Sequence, residues 1–352
     1  IKFDHRGNKM SELINLQKRL VPEVVEITEK RYSILRAIEF NQPVGRRALA
    51  GMLGQSERWV RSELDILKNQ NLIDIQALGM MVTGEGKEVI NKLREYISEL
   101  KGLKELESTV KEMLDIQEFI VVPGDSGQDP QVLTEMAKVA FEYLKKIIKD
   151  DDIIAVSGGY SALSVAENAY RIGAENVTVV PARGGIKADL ERQANIVAAK
   201  LAKNIGGKYY LLHLPDNISE EMIVRMSDDP DIAKVLEYIT KTDILLYGFS
   251  SFESICRKRN FTEEEVENLK SLKVRAEAVG CYFDMNGKIV YRSGRVGIKP
   301  EYLDSIRTMM AVGGGISKAQ PIVLVNRGRK NRVVVTDEAA AHEIYKILKG
   351  GN

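Results

Sequence analysis

The chain has 352 residues, 44% of them hydrophobic, enough to bury the cores of two or three ordinary domains. Its 51 basic and 50 acidic residues nearly cancel, so any nucleic-acid contact must come from a local patch and not from overall charge. Two cysteines, Cys256 and Cys281, exclude a disulfide framework and a four-cysteine zinc site and suit a reducing, cytoplasmic setting. The three scattered histidines, His5, His213 and His342, argue against a histidine-rich metal site or a histidine-centred triad. No apolar run approaches the roughly 18 residues of a membrane helix, and Ile1 to Lys9 lacks the apolar core of a signal peptide. Met10 reads as an initiator, so residues 1–18 are expected to be a leader or N-terminal arm.

Residues 19–86 read as a winged helix-turn-helix. A first helix is expected from about Arg31, with Ile34, Leu35, Ile38 and Phe40 on one apolar face, ending at Asn41-Gln42-Pro43. A short second helix over Arg46 to Leu53 leads through the turn Gly54-Gln55-Ser56 to a third, which Ser56 can cap and whose dipole Glu57 suits. At about 100° per residue, Val60, Leu64 and Leu67 share one sector of that helix, while Arg58, Arg61, Ser62 and Asp65 lie opposite. Arginines so placed can fork onto guanine edges, and Arg46, Arg47 and Lys68 are placed for phosphates. A solvated charged face is the commoner fate of helical arginines. The strand-like runs Leu72 to Gln76 and Met80 to Thr83, around a turn at Ala77-Leu78-Gly79, add a wing and favour double-stranded operator DNA as a partner.

Residues 87–115 carry an apolar stripe, Val89, Leu93, Tyr96, Ile97, Leu100, Leu103, Leu106, Val110 and Leu114, on an otherwise charged helix. The stripe either packs on its own domain or pairs with a second copy into a homodimer or tetramer. Gly102 interrupts it too early for a long coiled coil, and a dimerising linker is the expectation.

Residues 116–352 alternate β-branched runs with helices. Strands are expected at Phe119–Val122, Ile153–Val156, Val177–Val180, Tyr209–Leu212, Ile244–Leu246, Gly280–Asp284, Met309–Val312, Ile322–Val325 and Val333–Val335, giving an α/β domain with a largely parallel sheet. Ligands bind such sheets beyond the carboxyl ends of the strands. One strand-end loop is Ser157-Gly158-Gly159-Tyr160-Ser161, either an anion site at a helix start or a tight structural turn. Others are Ala182-Arg183-Gly184-Gly185, followed by Gln193 and Asn195; Arg257-Lys258-Arg259; and Gly313-Gly314-Gly315 with Ser317-Lys318. Arg183 is poised to fork onto an anion. Glu277 is either an acceptor for sugar hydroxyls or a solvent-exposed carboxylate. Together these loops suit a ligand with one or more phosphates.

With the wing, Ser157-Gly158-Gly159, Pro181-Ala182-Arg183-Gly184-Gly185, Gln193-Ala194-Asn195, Gly280-Cys281-Tyr282-Phe283, Gly313-Gly314, Ser317-Lys318 and Val335-Thr336-Asp337-Glu338, the chain from about Met10 resembles the SorC family of sugar-responsive regulators. The resemblance implies an effector domain of the sugar-phosphate isomerase and glucosamine-phosphate deaminase fold, redeployed for binding. It implies a repressor of glycolytic genes that answers to fructose 1,6-bisphosphate or a related sugar phosphate, with no cofactor. Carried over by position, Gly158 to Ser161 and Lys318 would hold one phosphate, and Arg183, Gln193, Lys258 and Glu277 the sugar and the second phosphate. Where the family's loop has two consecutive hydroxyl residues this chain has Tyr160-Ser161, which displaces one hydroxyl. Two other readings compete. An isomerase or deaminase with an accessory domain would need a base and acid in the phosphate loops, and no convincing pair is evident there, so no catalytic residue is expected. In a phosphosugar-binding adaptor the helix-turn-helix would touch only protein, which Arg58 and Arg61 argue against.

Overall fold

The computed structural model describes residues 5–185, 190–216, 218–258, 261–292 and 296–350, and their side chains except those of residues 5–11 and 258. The chain divides into two compact units, Ile1–Lys104 and Glu105–Asn352.

The N-terminal unit contains α1 (His5–Leu20), α2 (Pro22–Asn41), α3 (Arg46–Leu53), α4 (Glu57–Asn69), the hairpin β1 (Ile73–Gln76) and β2 (Gly79–Val82), and α5 (Gly84–Leu100). The expected arm is a helix: Ile14 is buried, the Tyr96 hydroxyl donates to Gln17 at 2.9 Å, and Lys18 Nζ donates to the Leu100 carbonyl at 2.6 Å. Pro22 sits in the first turn of α2, where its missing N–H costs nothing. α2 therefore begins well before Arg31. The sequence hid this because Val24 and Ile27 are exposed and add nothing to the core-facing pattern. Phe40, expected on the apolar face, is 40% exposed on the last turn of α2, where the helix leaves its core.

α3 ends on Gly54 at φ 61°, and the Ser56 hydroxyl accepts from the Trp59 N–H at 3.3 Å to open α4. β1 and β2 pair antiparallel, Ile73 opposite Val82 and Gln76 opposite Gly79, so the turn is Ala77-Leu78 and Gly79 belongs to the strand. Val44 adds a third short rung: its N–H and carbonyl bond Met80 at 3.2 and 2.9 Å, and the Gln42 side chain accepts from the Val82 N–H at 2.8 Å. That rung needs a glycine beside it, since a Cβ on Gly79 would lie 2.9 Å from the Val44 nitrogen.

The expected linker is two helices, α5 and α6 (Leu103–Leu114), broken at Lys101-Gly102. Its stripe is spent within the chain. Ile97 and Leu100 enter the N-terminal core, Val110 and Leu114 are fully buried, and Glu107 on α6 accepts from the Val121 N–H at 2.8 Å. Exposed apolar side chains on α1 and α2 include Leu13, Leu16, Leu20, Val24 and Ile27.

The C-terminal unit continues with β3 (Glu118–Val122), α7 (Pro130–Ile147), β4 (Ile153–Val156), α8 (Tyr160–Asn168), β5 (Thr178–Pro181), α9 (Ala194–Ile205) and β6 (Lys208–Tyr209). Next come α10 (Glu220–Met226), α11 (Pro230–Thr240), β7 (Ile244–Tyr247), β8 (Ser250–Ser251), α12 (Phe252–Lys258) and α13 (Glu263–Ser271). The chain closes with β9 (Ala276–Ala278), β10 (Cys281–Phe283), β11 (Ile289–Arg292), β12 (Thr308–Val312), α14 (Ala319–Asn326), β13 (Arg332–Asp337) and α15 (Glu338–Gly350).

Seven parallel strands form the main sheet in the order β3-β13-β12-β7-β4-β5-β6. Every residue of β5, β7, β12 and β13 is buried, as strands covered on both faces require. α7, α8 and α9 share one core with alternate residues of the strands, among them Ile154, Val156, Ile244 and Leu246. α11, α14 and α15 lie on the other side. A second sheet, β11-β10-β9-β8, is antiparallel. The run Ile322–Val325, expected as a strand, is the middle of α14. Four consecutive apolar residues buried all round give no period that separates helix from strand. The expected strand at Tyr209–Leu212 is confined to Lys208–Tyr209.

Candidate functional site

Sheet order reverses between β4 and its neighbour β7: from β4 the chain runs outward through β5 and β6, and from β7 through β12 and β13 the other way. The loops after these strands part at that point and leave a crevice. There lies a cavity of about 440 Å³. Its lining includes Gly158, Gly159, Tyr160, Ser161, Arg183, Glu277 and Lys318. Thus seven residues from four separate stretches of sequence meet in one place.

The loop after β4 works through its backbone. Gly159, at φ 118°, takes a conformation closed to side chains and turns the chain into α8, leaving the first-turn N–H groups at Tyr160, Ser161 and Ala162 at the cavity. The Gly159 N–H is directed away, to the Arg192 carbonyl at 2.8 Å. Lys318 brings a cation from the loop after β12, its Nζ donating to the Phe249 carbonyl at 2.8 Å. A helix start with a lysine beside it suits an anion such as a phosphate group.

Arg183 is not held out to solvent. It is 8% exposed, hydrogen-bonded to Asp216, and its other terminal nitrogen is 3.6 Å from Glu277. Burial lowers its pKa, but the hydrogen bond and charge of Asp216, then the charge of Glu277, outweigh it and hold the guanidinium firmly protonated. Glu277 is 7% exposed and also accepts the Gly280 N–H at 2.9 Å, so it is a buried carboxylate and not a solvent-exposed one. Gly184 and Gly185 serve packing: a Cβ on Gly184 would meet the Leu214 carbonyl at 2.7 Å, and the Gly185 N–H donates to that same carbonyl. With Gln193 they line a side recess that shares Gly158, Arg183 and Arg192 with the main cavity. The side chain of Lys258, with residues 259 and 260, lies outside the described residues.

Several lining groups escaped the sequence reading. Arg192 stacks its guanidinium 4.8 Å over the Tyr160 ring, so the tyrosine where a hydroxyl residue was expected carries a cation to the loop. Ser126 follows β3, and the rule of reading strand-end loops reaches it through Gly124-Asp125-Ser126-Gly127. Asp337 is completely buried behind the cavity. Its Oδ2 accepts from the Ser126 N–H at 2.7 Å, the Ser126 hydroxyl at 2.6 Å and the Gly315 N–H at 2.6 Å, and its Oδ1 from the Ala340 N–H at 2.8 Å. Gly314 has room for no side chain there, because a Cβ would fall 2.3 Å from that carboxylate. Among the described residues no group of His, Cys, Asp and Glu is placed to hold a metal ion, and no helix is long and apolar enough to cross a membrane.

In the N-terminal unit, Val60, Leu64 and Leu67 of α4 are buried, while Arg58, Arg61 and Ser62 are exposed on its other side. Arg46 is exposed at the start of α3, and Arg47 Nε pairs with Glu57 at 3.1 Å across the turn. Lys68 is exposed in the last turn of α4, and Ser56 is committed to its cap. The wing tip, Gln76-Ala77-Leu78, carries no cation, whereas α3 and α4 carry the exposed Arg46, Arg47, Arg58, Arg61 and Lys68.

Residues 98–346 match the family described as "Putative sugar-binding domain", and residues 27–97 match the "CggR N-terminal DNA binding domain". The chain is 36% identical to the central glycolytic genes regulator of Bacillus subtilis over 338 residues, 96% of this chain and 99% of that protein. The chain belongs to the SorC family of transcription regulators. A SorC family regulator from Enterococcus faecalis superposes with a TM-score of 0.64 at 32% identity, covering 69% of this chain and all of that one. The full-length sorbitol operon regulator of Klebsiella pneumoniae, at 19% identity and a TM-score of 0.63, covers 88% of this chain and 96% of its own and shares the fold. As a SorC family member the chain is a transcription regulator with a DNA-binding and a sugar-binding domain, and the two units described above carry them.

Proposed function

We propose that this SorC family regulator is a cytoplasmic repressor of glycolytic genes whose grip on operator DNA is changed by a sugar phosphate, fructose 1,6-bisphosphate, bound in the C-terminal cavity. The observation that carries the reading is the cavity at the reversal of strand order, where a helix start and three cationic side chains, Arg183, Arg192 and Lys318, converge with one buried carboxylate, Glu277. A ligand with phosphate at both ends suits cations brought by separate loops better than a ligand charged at one end. The names of the relatives in Bacillus subtilis and Priestia megaterium support the glycolytic assignment. In this reading residues 19–86 bind DNA, residues 116–352 bind the effector, and no residue is catalytic.

Calorimetric titration of the full chain with fructose 1,6-bisphosphate and fructose 6-phosphate tests it. Lys318→Ala should weaken both ligands about tenfold, the worth of one charge-assisted hydrogen bond. Arg183→Lys keeps the charge facing Asp216 and Glu277 but loses the planar fork, and should cost the bisphosphate about tenfold and the monophosphate little. Equal losses for both ligands in Arg183→Lys would remove the two-phosphate arrangement, and no binding of either sugar would remove the sensor.

The protein is proposed to act as a homo-oligomer, since a dimer suits an operator of two half-sites. With the stripe on α5 and α6 buried within the chain, the exposed Leu13, Leu16, Leu20, Val24 and Ile27 are the surface available for a second copy. Sedimentation should show a dimer or larger species at micromolar concentration, reduced by Leu16→Glu. An unchanged oligomer in that variant would place the interface elsewhere.

A further inference from the structure

Next to the effector cavity is a second, of about 100 Å³, between the main sheet and the small one. That is the share of about three waters, or of one small oxyanion. Tyr247, Val279, Met309, Asp304, Arg329 and Arg332 are part of its lining, and Val279 lines the effector cavity as well, so the two share a wall.

Arg332 opens β13 and is 2% exposed, first among the large fully buried side chains. One terminal nitrogen donates to Asn331 Oδ1 at 2.6 Å and touches the Met309 sulfur, while its Nε has no hydrogen-bond partner. Among the described residues no carboxylate pairs with it, and burial holds its pKa below the ordinary arginine value. The charge of Asp304 attracts Arg332 without forming an ion pair, and a guanidinium buried with no ion-pair partner is a costly arrangement, since buried arginines are normally paired. Arg329 adds a second guanidinium to the same lining. It is half-buried, bonds the carbonyls of Val325 and Gly287, and lies 5.5 Å over the Phe283 ring, again with no carboxylate partner among the described residues. Asp304, exposed at the mouth, is the acid in the lining, so the wall keeps an excess of positive charge.

The strand starts set this cavity apart from the effector site. Arg332 lies at the amino end of β13, and its sheet partner Met309 near that of β12, whereas the effector loops follow the carboxyl ends. The cavity is therefore not an extension of the phosphate loops.

We propose that this cavity is a second anion site, in which Arg332 and Arg329 hold a small oxyanion such as inorganic phosphate. A planar guanidinium offers the paired N–H donors that a tetrahedral oxyanion accepts, and Arg329 adds a second such group to the same lining.

Inorganic phosphate would also enter the effector cavity, so the test compares variants of the full chain by calorimetry. Lys318→Ala, which weakens phosphate in the effector cavity, should keep a phosphate-binding event. Adding Arg332→Met should weaken that event at least tenfold. Arg332→Met exchanges a buried charge for an apolar chain of similar length, so its unfolding temperature without phosphate should stay level or rise, while the rise that phosphate causes in the Lys318→Ala chain disappears. If Arg332→Met does not fold, Arg329→Gln, at a half-buried position, should weaken the same event about fivefold. Phosphate binding of equal strength in Lys318→Ala with and without the cavity substitutions, or no phosphate binding in Lys318→Ala, would overturn the proposal.

Discussion

Replacing Arg58 and Arg61 together by alanine is expected to erase discrimination between operator and random DNA while leaving the fold and phosphosugar binding unchanged. Both side chains project from the face of α4 opposite Val60, Leu64 and Leu67, which hold the helix in its core. A bidentate arginine contact to a base is worth about 1–3 kcal/mol of discrimination, so the pair accounts for about 30-fold at the low end. Exposed substitutions of this kind change stability by about 0.5 kcal/mol or less. Fluorescence anisotropy with operator and scrambled duplexes, beside thermal unfolding, measures both quantities. Preserved discrimination in the double variant would mean that α4 is not the reading helix. By contrast, Arg46→Ala should weaken operator and scrambled DNA alike, because a phosphate contact carries no sequence information.

Asp337→Ala should cost about 3 kcal/mol or more of stability and abolish phosphosugar binding, although Asp337 is behind the cavity and not among its lining residues. Three backbone N–H groups and the Ser126 hydroxyl lose their acceptor at once, and each buried donor left unpaired costs about 1–3 kcal/mol. Those donors fix two walls of the site, the loop at Ser126 and the glycines at Gly313 to Gly315. Asp337→Asn keeps the shape and one acceptor oxygen but turns a donor toward donors, so it should fall between the two. Thermal unfolding and calorimetry decide the matter: a variant as stable as the parent, binding phosphosugar normally, would deny Asp337 its organising part.

What was legible in the sequence was whatever a local period or a short motif records. The packing face of α4, the cap at Ser56, the hairpin and the parallel strands β3, β4, β5, β7, β12 and β13 all follow from spacing alone. Of the site, the glycine loop after β4, Glu277 and Lys318 were found because each lies close to a strand end or a motif. What was not legible depends on partners distant in the chain. Asp216 lies 33 residues from the arginine it pairs with, and nothing near Arg183 announces a carboxylate. Asp337 bonds Ser126 across 211 residues, and Arg192 gains its place by stacking on Tyr160. The short strands β8 and β9 have two and three residues, too few for alternation to be visible. The stripe at Val89 to Leu114 shows that an apolar face must be covered, but not whether its own chain or another copy covers it.

The rung at Val44 has a consequence for how this unit meets its operator. A hairpin fastened on one side swings like a loop and must be immobilised when DNA arrives. Here β2 is bonded on both edges, by β1 and by the segment Gln42 to Val44 that joins α2 to α3. The hairpin and the helix-turn-helix it is bonded to are therefore expected to move together, so that a wing entering DNA has little ordering entropy to lose. A preformed surface of fixed span tolerates little variation in the width of the groove it enters, so this unit is expected to sense the shape of the duplex as well as its letters.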